Sequence, residues 1–263
     1  MAAYIFSLVL GLFFSVLEVL YLGWDWKLLI FIPLTIAATV IAVFLVFIVT
    51  IWIISLFIDM EKKYDAPTKF YMELINFAFT YLLLILGVRV KLEGGEKVPT
   101  DKRFLVVSNH VHAFDPLFVI LSLRNTWVSY VSKPENFKIP IIGRYMHRCL
   151  HLPIDRDNPR NALLTINEAA DQISRGAVSM GIFPEGTRSK TGELGEFRNG
   201  AFKIAQKAKC PVVVAAIKNS RKAARRPFVT VTVKIAGVLP YGEIAEMRTA
   251  EISSKVREMI LTA

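Results

Sequence analysis

The first 60 residues of the chain contain almost no charge. Lys27 is the only basic residue among them, against the acidic residues Glu18, Asp25 and Asp59. A cleaved signal peptide normally opens with a basic region, which this segment lacks. We therefore expect the apolar front to be retained as an anchor. The front carries a net charge of −2 and the rest of the chain +12, which together give the formal net charge of +10.

Cysteine is also scarce, because the chain contains only Cys149 and Cys210, each among apolar neighbours. So few cysteines exclude the disulfide framework of a small secreted protein, and they predict buried free thiols in a reducing compartment. A metal site that used His110, His112 and Asp115 would lack an evident fourth ligand, so we predict no metal.

The basic part of the chain lacks a recognisable nucleic-acid-binding module. An apolar anchor also has no natural role in a protein that binds nucleic acid. An uncharged front joined to a basic body instead favours a protein whose body rests on an anionic membrane surface. We therefore predict membrane lipids as partners and no nucleic acid.

Two long apolar runs predict a membrane helical hairpin over residues 1–60. Residues 28–58 contain no charge, and they exceed the roughly 20 residues that cross a bilayer. Pro33 predicts a tilt or a break in this helix. Residues 4–22 are apolar apart from one glutamate, and residues 23–27, with two tryptophans, predict a turn at the membrane interface.

Basic residues follow the predicted hairpin at Lys62, Lys63 and Lys69. The positive-inside rule therefore places the body of the protein on the cytoplasmic face of the cell membrane. A third apolar stretch, residues 70–88, contains a glutamate and is followed by basic residues, so we predict a helix that lies in the interface. Residues 61–98 are assigned to this interfacial helix and a connector.

Residues 99–263 have the pattern of an α/β domain, because short apolar runs alternate with amphipathic helices. This pattern predicts a mixed, largely parallel sheet flanked by helices. Helices are predicted after Asn158, around residues 201–208 and over residues 243–261. Strands are predicted at residues 104–107, 127–131, 178–183, 212–217 and 229–235.

The first polar signal follows the first predicted strand, where His110 and Asp115 are separated by four residues. At this spacing a carboxylate on the next helical turn can hold one imidazole nitrogen while the other faces a substrate hydroxyl. Such a pair is a general base without a protein nucleophile, suited to an alcohol that attacks a thioester. The alternative is a surface histidine beside a helix-capping aspartate.

The second polar signal is the stretch F-P-E-G-T-R-S at residues 183–189, at the end of another predicted strand. Arg188 offers a planar fork for a phosphate, and Thr187 with the loop amides adds donors. Glu185 is expected to accept from a glycerol hydroxyl or to orient Arg188. The alternative is a solvated turn with a chance salt bridge.

Together these motifs resemble those of the PlsC-like family of glycerolipid acyltransferases, which are N-H-x4-D and F-P-E-G-T-R-S in the same order and at similar spacing. Three further blocks are similar to family blocks: residues 132–143 with Lys133, residues 152–156 with Arg156, and residues 210–213. The resemblance covers about residues 70–240.

The resemblance implies the glycerolipid acyltransferase fold, with His110 as the base and Asp115 as its orienting partner. It implies that the acceptor's glycerol and phosphate are held by Glu185, Gly186, Thr187, Arg188, Lys133 and Arg156. It further implies a 1-acylglycerol-3-phosphate O-acyltransferase that makes phosphatidic acid from lysophosphatidic acid. The co-substrate would be a thioester of acyl carrier protein or of coenzyme A, and no cofactor would be bound.

Two alternatives stay open at this point. The first is the same chemistry on glycerol-3-phosphate, another lysophospholipid or an amino-acid-linked lipid, because motifs that hold a phosphate and a hydroxyl do not separate these acceptors. The second is a non-catalytic membrane protein that binds anionic lipid through its basic body. The His110 and Asp115 pair argues against the second, because a pure lipid binder needs no base.

Overall fold

The fold joins an N-terminal helical hairpin to an α/β domain, and the computed structural model describes residues 2–223 and 225–263. The α-helices are α1 (Ala2–Leu22), α2 (Leu28–Leu56), α3 (Lys69–Ile85), α4 (Asp115–Ser122), α5 (Ile142–Arg148), α6 (Pro159–Ser174), α7 (Lys203–Ala208), α8 (Ser220–Ala223), α9 (Tyr241–Ile244) and α10 (Thr249–Leu261). The strands are β1 (Arg89–Glu93), β2 (Leu105–Ser108), β3 (Val128–Ser132), β4 (Leu152–Pro153), β5 (Ser179–Ile182), β6 (Val212–Lys218) and β7 (Thr230–Leu239). Short 3-10 helices cover Gly95–Lys97, Arg124–Thr126, Pro134–Lys138 and Asn199–Phe202.

The strands form one sheet in the order β1-β7-β6-β2-β5-β3-β4. Neighbouring strands are parallel, with the exception of β6 and β7. This confirms the predicted mixed, largely parallel sheet. Because β2, β5 and β6 are parallel neighbours, they end at the same edge of the sheet, which we call the carboxyl edge.

Both faces of the sheet are buried, as strands in a parallel sheet require. Leu105 and Val107 pack into the core beneath α6, α7 and α10, whereas Val106 packs on the opposite face with Phe118 of α4. Successive residues of β2 therefore serve two different cores, because side chains alternate across a strand. All four of these residues are almost completely buried.

The α/β domain begins earlier than predicted. The sequence predicts a boundary at residue 99, whereas Arg89–Glu93 forms β1 and pairs in parallel with β7. Charged and apolar residues alternate along this edge strand, and none of its residues is fully buried. The half-polar pattern of an edge strand resembles a connector, which is why the sequence did not reveal it.

The closing helix also differs from its prediction, while the helix after Asn158 is confirmed. Residues 243–261 form two helices, α9 and α10, because a capping box between Arg248 and Glu251 starts a new helix. Asn158 caps α6 by accepting from two backbone N–H groups. The predicted break at Pro33 is absent, since α2 continues through this residue and loses one intrahelical bond there.

Helices α1 and α2 pack against each other as the predicted hairpin. A Cβ atom on Gly11 would lie 3.1 Å from the Cα atom of Ile36, so the missing side chain lets the two backbones approach closely. The carboxylate of Glu18 accepts a hydrogen bond from the Thr35 hydroxyl. Both helices are long and apolar enough to cross a membrane.

Helix α3 packs along the second half of α2. The ring centroids of Phe47 and Phe77 lie 5.1 Å apart, and those of Phe44 and Tyr81 lie 5.7 Å apart. The Tyr81 hydroxyl also donates to the Ser7 hydroxyl of α1 over 3.2 Å. Helix α3 thus contacts both hairpin helices and runs antiparallel to α2; its location in the membrane interface stays a prediction.

The end of α2 is fixed to the α/β domain through α5. The Tyr145 hydroxyl donates to the carbonyl of Ile51 over 3.0 Å, and the Arg144 guanidinium donates to the carbonyl of Ile58 over 3.1 Å. Ile51 lies in the last two turns of α2, and Ile58 lies just past the end of the helix. The anchor and the domain are therefore joined by a polar, directional contact.

The C-terminal end of α3 lies at the carboxyl edge of the sheet. Helix α3 leads through Gly87 into β1, whose first residue, Arg89, pairs with Thr230 at the start of β7. The start of β7 lies beside the end of β6, because these two strands are antiparallel. Because α3 runs antiparallel to α2, the first half of α2 extends beyond this end of α3.

Candidate active site

The loop between β2 and α4 brings His110 and Asp115 together at the carboxyl edge. The Nδ1 atom of His110 lies 3.0 Å from Oδ2 of Asp115. The same oxygen accepts from the backbone N–H groups of Val111 and His112, over 2.6 Å and 2.7 Å. With Nδ1 held by the carboxylate, Nε2 is the ring nitrogen that remains for a substrate.

Two amide or carboxylate side chains hold this loop on the neighbouring strands. Asn109 accepts from the backbone N–H of Ile217 over 2.7 Å and donates to the carbonyl of the same residue over 3.1 Å. Glu185 accepts from the backbone N–H of His110 over 2.8 Å and from that of Gly195 over 2.9 Å. The loop is thus bonded to the segment that follows β5 and to the end of β6.

The sequence predicts that Glu185 binds the acceptor or orients Arg188, whereas in the structure its carboxylate binds backbone N–H groups. Its side chain is largely buried, and its two carboxylate oxygens each accept a backbone N–H. These bonds make it a positioning residue for His110, which the sequence did not reveal. A contact between Glu185 and the glycerol of an acceptor stays a prediction.

The imidazole of His110 lies in a stack of three rings. It is 4.0 Å from the ring of Phe183 at an interplanar angle of 12°, and Phe183 lies 5.1 Å from the ring of Tyr130. Gly181 makes room for this stack, because a Cβ atom there would lie 2.5 Å from the Tyr130 ring. The stack fixes the plane of the imidazole from the side opposite to solvent.

A small group of buried polar atoms lies beneath the His110 and Asp115 pair. Oδ1 of Asp115 is buried without a hydrogen-bond partner in the described part of the chain, and the buried hydroxyls of Ser108 and Tyr130 have none there apart from each other. Burial raises the pKa of Tyr130, the nearby Ser108 hydroxyl opposes this and the charge of Asp115 adds to it. Tyr130 is therefore a neutral phenol at physiological pH.

A second imidazole, that of His112, lies beside the pair but does not contact the carboxylate of Asp115 through its ring. Its Nδ1 accepts from the backbone N–H of Phe114 over 3.3 Å. Burial lowers the pKa of His112; the charge of Asp115 opposes this and that of Arg188 reinforces it. Across residues 2–223 and 225–263, no three His, Cys, Asp or Glu side chains are placed to hold a metal ion.

The loop after β5 presents cationic groups at the same edge. Thr187 and Arg188 are exposed there, and the Arg188 guanidinium is near enough to His112 to lower its pKa. Gly186 has a φ of +73°, a conformation that glycine adopts readily. A Cβ atom at Gly186 would lie 2.9 Å from Nε of Arg198, so this glycine also leaves space for a second guanidinium.

Arg198 was not among the predicted site residues. Burial lowers the pKa of Arg156, and the positive charge of Arg198 lowers it further. An anion bound near both guanidinium groups would relieve this repulsion. Lys133 directly follows β3, which ends at the same edge, and its side chain is exposed.

Known proteins share this sheet and these loops. The sequence model of a family described as Acyltransferase matches residues 89–218, which contain both motifs. Residues 89–218 therefore form a domain of the acyltransferase family. This match begins at β1, in agreement with the observed start of the α/β domain.

Among acyltransferase relatives, a chloroplastic 1-acyl-sn-glycerol-3-phosphate acyltransferase of Brassica napus is 36% identical over 135 residues, which cover 51% of this chain and 38% of that protein. A probable 1-acyl-sn-glycerol-3-phosphate acyltransferase of Mycoplasma pneumoniae is 34% identical over 170 residues, covering 60% of this chain and 62% of that protein. The matched region spans half or less of the plant relatives.

A solved acyltransferase structure is also similar. The crystal structure of the 1-acyl-sn-glycerophosphate (LPA) acyltransferase PlsC from Thermotoga maritima superimposes with a TM-score of 0.57 at 26% sequence identity. The superposition covers 73% of this chain and 76% of that one. The glycerolipid acyltransferase fold predicted from the motifs is therefore confirmed.

We predict that Glu185→Gln destabilises the protein by about 1–3 kcal/mol, because one backbone N–H that now bonds to a carboxylate oxygen would face an amide NH₂. Thermal unfolding of the purified protein in detergent measures the change. Glu193→Gln is the matched control, since Glu193 is exposed and its side chain forms no ion pair in the described part of the chain. Equal midpoints for the two variants would contradict the positioning role.

A second prediction concerns His151, whose Nδ1 accepts from the backbone N–H of Tyr130 over 3.1 Å. Burial lowers the pKa of His151 to about 4, whereas an unfolded histidine has a pKa of about 6.5. Between these pH values the unfolded chain binds more protons than the folded chain. The stability that neutral, buried His151 contributes is therefore fully present above about pH 6.5 and is lost as the pH falls toward 4.

We expect His151→Gln to flatten this dependence, because glutamine accepts from the same N–H and does not titrate. Relative to the unmodified protein, the variant should lose about 2 kcal/mol less unfolding free energy between about pH 7 and pH 4.5. Denaturant unfolding at the two pH values measures the difference. Parallel losses in both proteins would show that His151 is not the titrating group.

Proposed function

We propose that the chain is a 1-acylglycerol-3-phosphate O-acyltransferase, which makes phosphatidic acid by direct transfer of an acyl group from a thioester. The observation that carries this proposal is the 3.0 Å contact between Nδ1 of His110 and the buried carboxylate of Asp115. It leaves Nε2 as a base at the same edge as the guanidinium groups. The names of the Brassica and Mycoplasma relatives and of the Thermotoga structure support this acceptor.

The reaction needs one base and no acyl-enzyme. Nε2 of His110 takes the proton from the acceptor hydroxyl as the hydroxyl oxygen attacks the thioester carbonyl. A new oxygen–carbon bond forms, the carbon–sulfur bond breaks, and the thiolate leaves with the proton returned by the imidazolium. Asp115 stabilises that imidazolium and keeps the ring in the required orientation.

The acceptor phosphate would be held by the cationic side of the site. Arg188 is exposed, and its charge lowers the pKa of His112. Arg198 lies beside Gly186, and its charge lowers the pKa of Arg156. A phosphate monoester carries up to two negative charges, which suits more than one guanidinium. Lys133 at the end of β3 would add a further positive charge, and Thr187 a hydroxyl donor.

The donor would be a thioester of acyl carrier protein or of coenzyme A, with no resident cofactor. The two apolar helices support an anchor in the cell membrane, and the basic residues after α2 support a domain on the cytoplasmic face. In that arrangement the acceptor arrives from the bilayer and the donor from the cytosol. Glycerol-3-phosphate or another lysophospholipid as acceptor would use the same groups.

His110→Ala should lower kcat by roughly 100- to 10,000-fold, the range expected when a general base is removed. The assay is phosphatidic acid formation by detergent-purified protein from lysophosphatidic acid and acyl thioesters. His112→Ala is the matched control, because it removes a neighbouring imidazole whose ring does not contact Asp115, and it should stay within a few-fold of the unmodified enzyme. Retained activity in His110→Ala would overturn the assignment of the base.

Arg188→Gln should raise the KM for lysophosphatidic acid by roughly 10- to 100-fold, as expected when a charged hydrogen bond to the phosphate is lost. With monoacylglycerol, which lacks the phosphate, the variant and the unmodified enzyme should be alike. Arg160→Gln, at an exposed arginine of α6, serves as the control. An equal effect on both acceptors would show that Arg188 does not bind the phosphate.

A further inference from the structure

The segment between β6 and β7 is strongly basic and lies at the carboxyl edge. We call residues 221–228 the basic loop; it contains four cationic residues and no acidic one. Within residues 2–223 and 225–263 none of the four forms an ion pair. The four are Arg221, Lys222, Arg225 and Arg226. Their positive charge is therefore available to a partner outside the chain.

Phe228, at the end of the basic loop, is 89% exposed. Its backbone has a φ of +59°, which is unusual for a residue with a bulky side chain. A bulky residue at positive φ is strained, and the exposed ring is available to an apolar surface outside the chain. The basic loop thus combines free positive charge with one exposed aromatic ring.

The position of Phe228 relates the basic loop to the anchor. A Cβ atom on Gly87 would lie 3.1 Å from Cδ1 of Phe228, so the ring lies against the chain where α3 ends. Helix α3 packs antiparallel on the second half of α2, so the first half of α2 extends beyond the end of α3 at which Phe228 lies. A bilayer that surrounds the hairpin would therefore meet the protein near the end of α3, beside the basic loop.

We propose that the basic loop docks on the anionic headgroups of the bilayer, with Phe228 inserted among the acyl chains beside α3. Basic side chains are attracted to anionic lipid, and an aromatic ring next to them gains from burial below the headgroups. An acidic protein, such as a carrier of the acyl group, could pair with the cations. It would not account for an exposed ring at the level of the anchor.

Docking would hold the catalytic edge level with the headgroups. The backbone carbonyl of Lys190 accepts a hydrogen bond from Arg221, so the basic loop also contacts the segment that follows Arg188. Asn219, just before the basic loop, follows the strand residue Ile217 that bonds to Asn109. The basic loop and the catalytic base, His110, therefore lie on neighbouring segments of the carboxyl edge.

The test uses a fluorophore whose emission depends on polarity, attached to Phe228→Cys in the full-length protein in lipid vesicles. Selective labelling is feasible because burial raises the pKa of both native thiols, Cys149 and Cys210, to about 12. The unsubstituted chain is the labelling control. Leu164→Cys is the matched control for the label, because Leu164 is exposed on α6, on the sheet face opposite α4.

In vesicles with phosphatidylglycerol we expect a blue-shifted emission at position 228, quenched by lipids that carry a nitroxide near the headgroup. The label at position 164 should emit as in water and remain unquenched. The double variant Arg225→Gln and Arg226→Gln should bind the anionic vesicles roughly thirtyfold more weakly, because it lacks two of the charges that attract anionic lipid. The measurement requires no acyl transfer, so it should be unchanged by His110→Ala, and it stands apart from the proposed reaction.

A water-like, unquenched label at position 228 in anionic vesicles would overturn the proposal. Equal quenching in pure phosphatidylcholine and in phosphatidylglycerol would overturn the role of the cationic residues. Shielding of the label by added acyl carrier protein, without quenching by lipid, would assign the basic loop to a protein partner instead.

Discussion

Oδ2 of Asp115 accepts three hydrogen bonds, from the His110 ring and from two backbone N–H groups of the same loop. Burying a carboxylate is costly unless it is hydrogen-bonded, and this one is completely buried. One atom therefore constrains both the path of the loop and the orientation of the imidazole. Any shift at the start of α4 would change both together, so the base cannot be adjusted independently of the sheet that carries the loop.

The parallel order of the sheet explains why the functional groups meet. β2, β5 and β3 are neighbours that end at one edge, and the loops that follow them carry His110, Arg188 and Lys133. The single antiparallel pair, β6 with β7, brings the start of β7 to that edge as well. The apolar anchor and the polar site thus share one side of the domain as a consequence of strand direction.

The sequence predicted the sheet type, the hairpin and the meeting of His110 with Asp115, because these depend on hydrophobic period, on length and on short-range spacing. It did not reveal β1, whose edge position exposes its charged residues, or the new start at Arg248. It also missed Arg198, the positioning bonds of Glu185 and the ring stack under His110. Those depend on contacts between residues far apart in the chain, such as Tyr130 with Gly181 and Phe183, which no local pattern records.

Helix α2 runs without interruption from the hairpin turn, through Pro33, to its attachment on α5. A continuous helix has no linker, and hydrogen bonds to α5 remove freedom at its far end. A domain carried in this way does not lift from or tumble above a bilayer that holds the hairpin. Its catalytic edge would keep a constant height, and the encounter with a lipid acceptor would become a two-dimensional search by lateral diffusion.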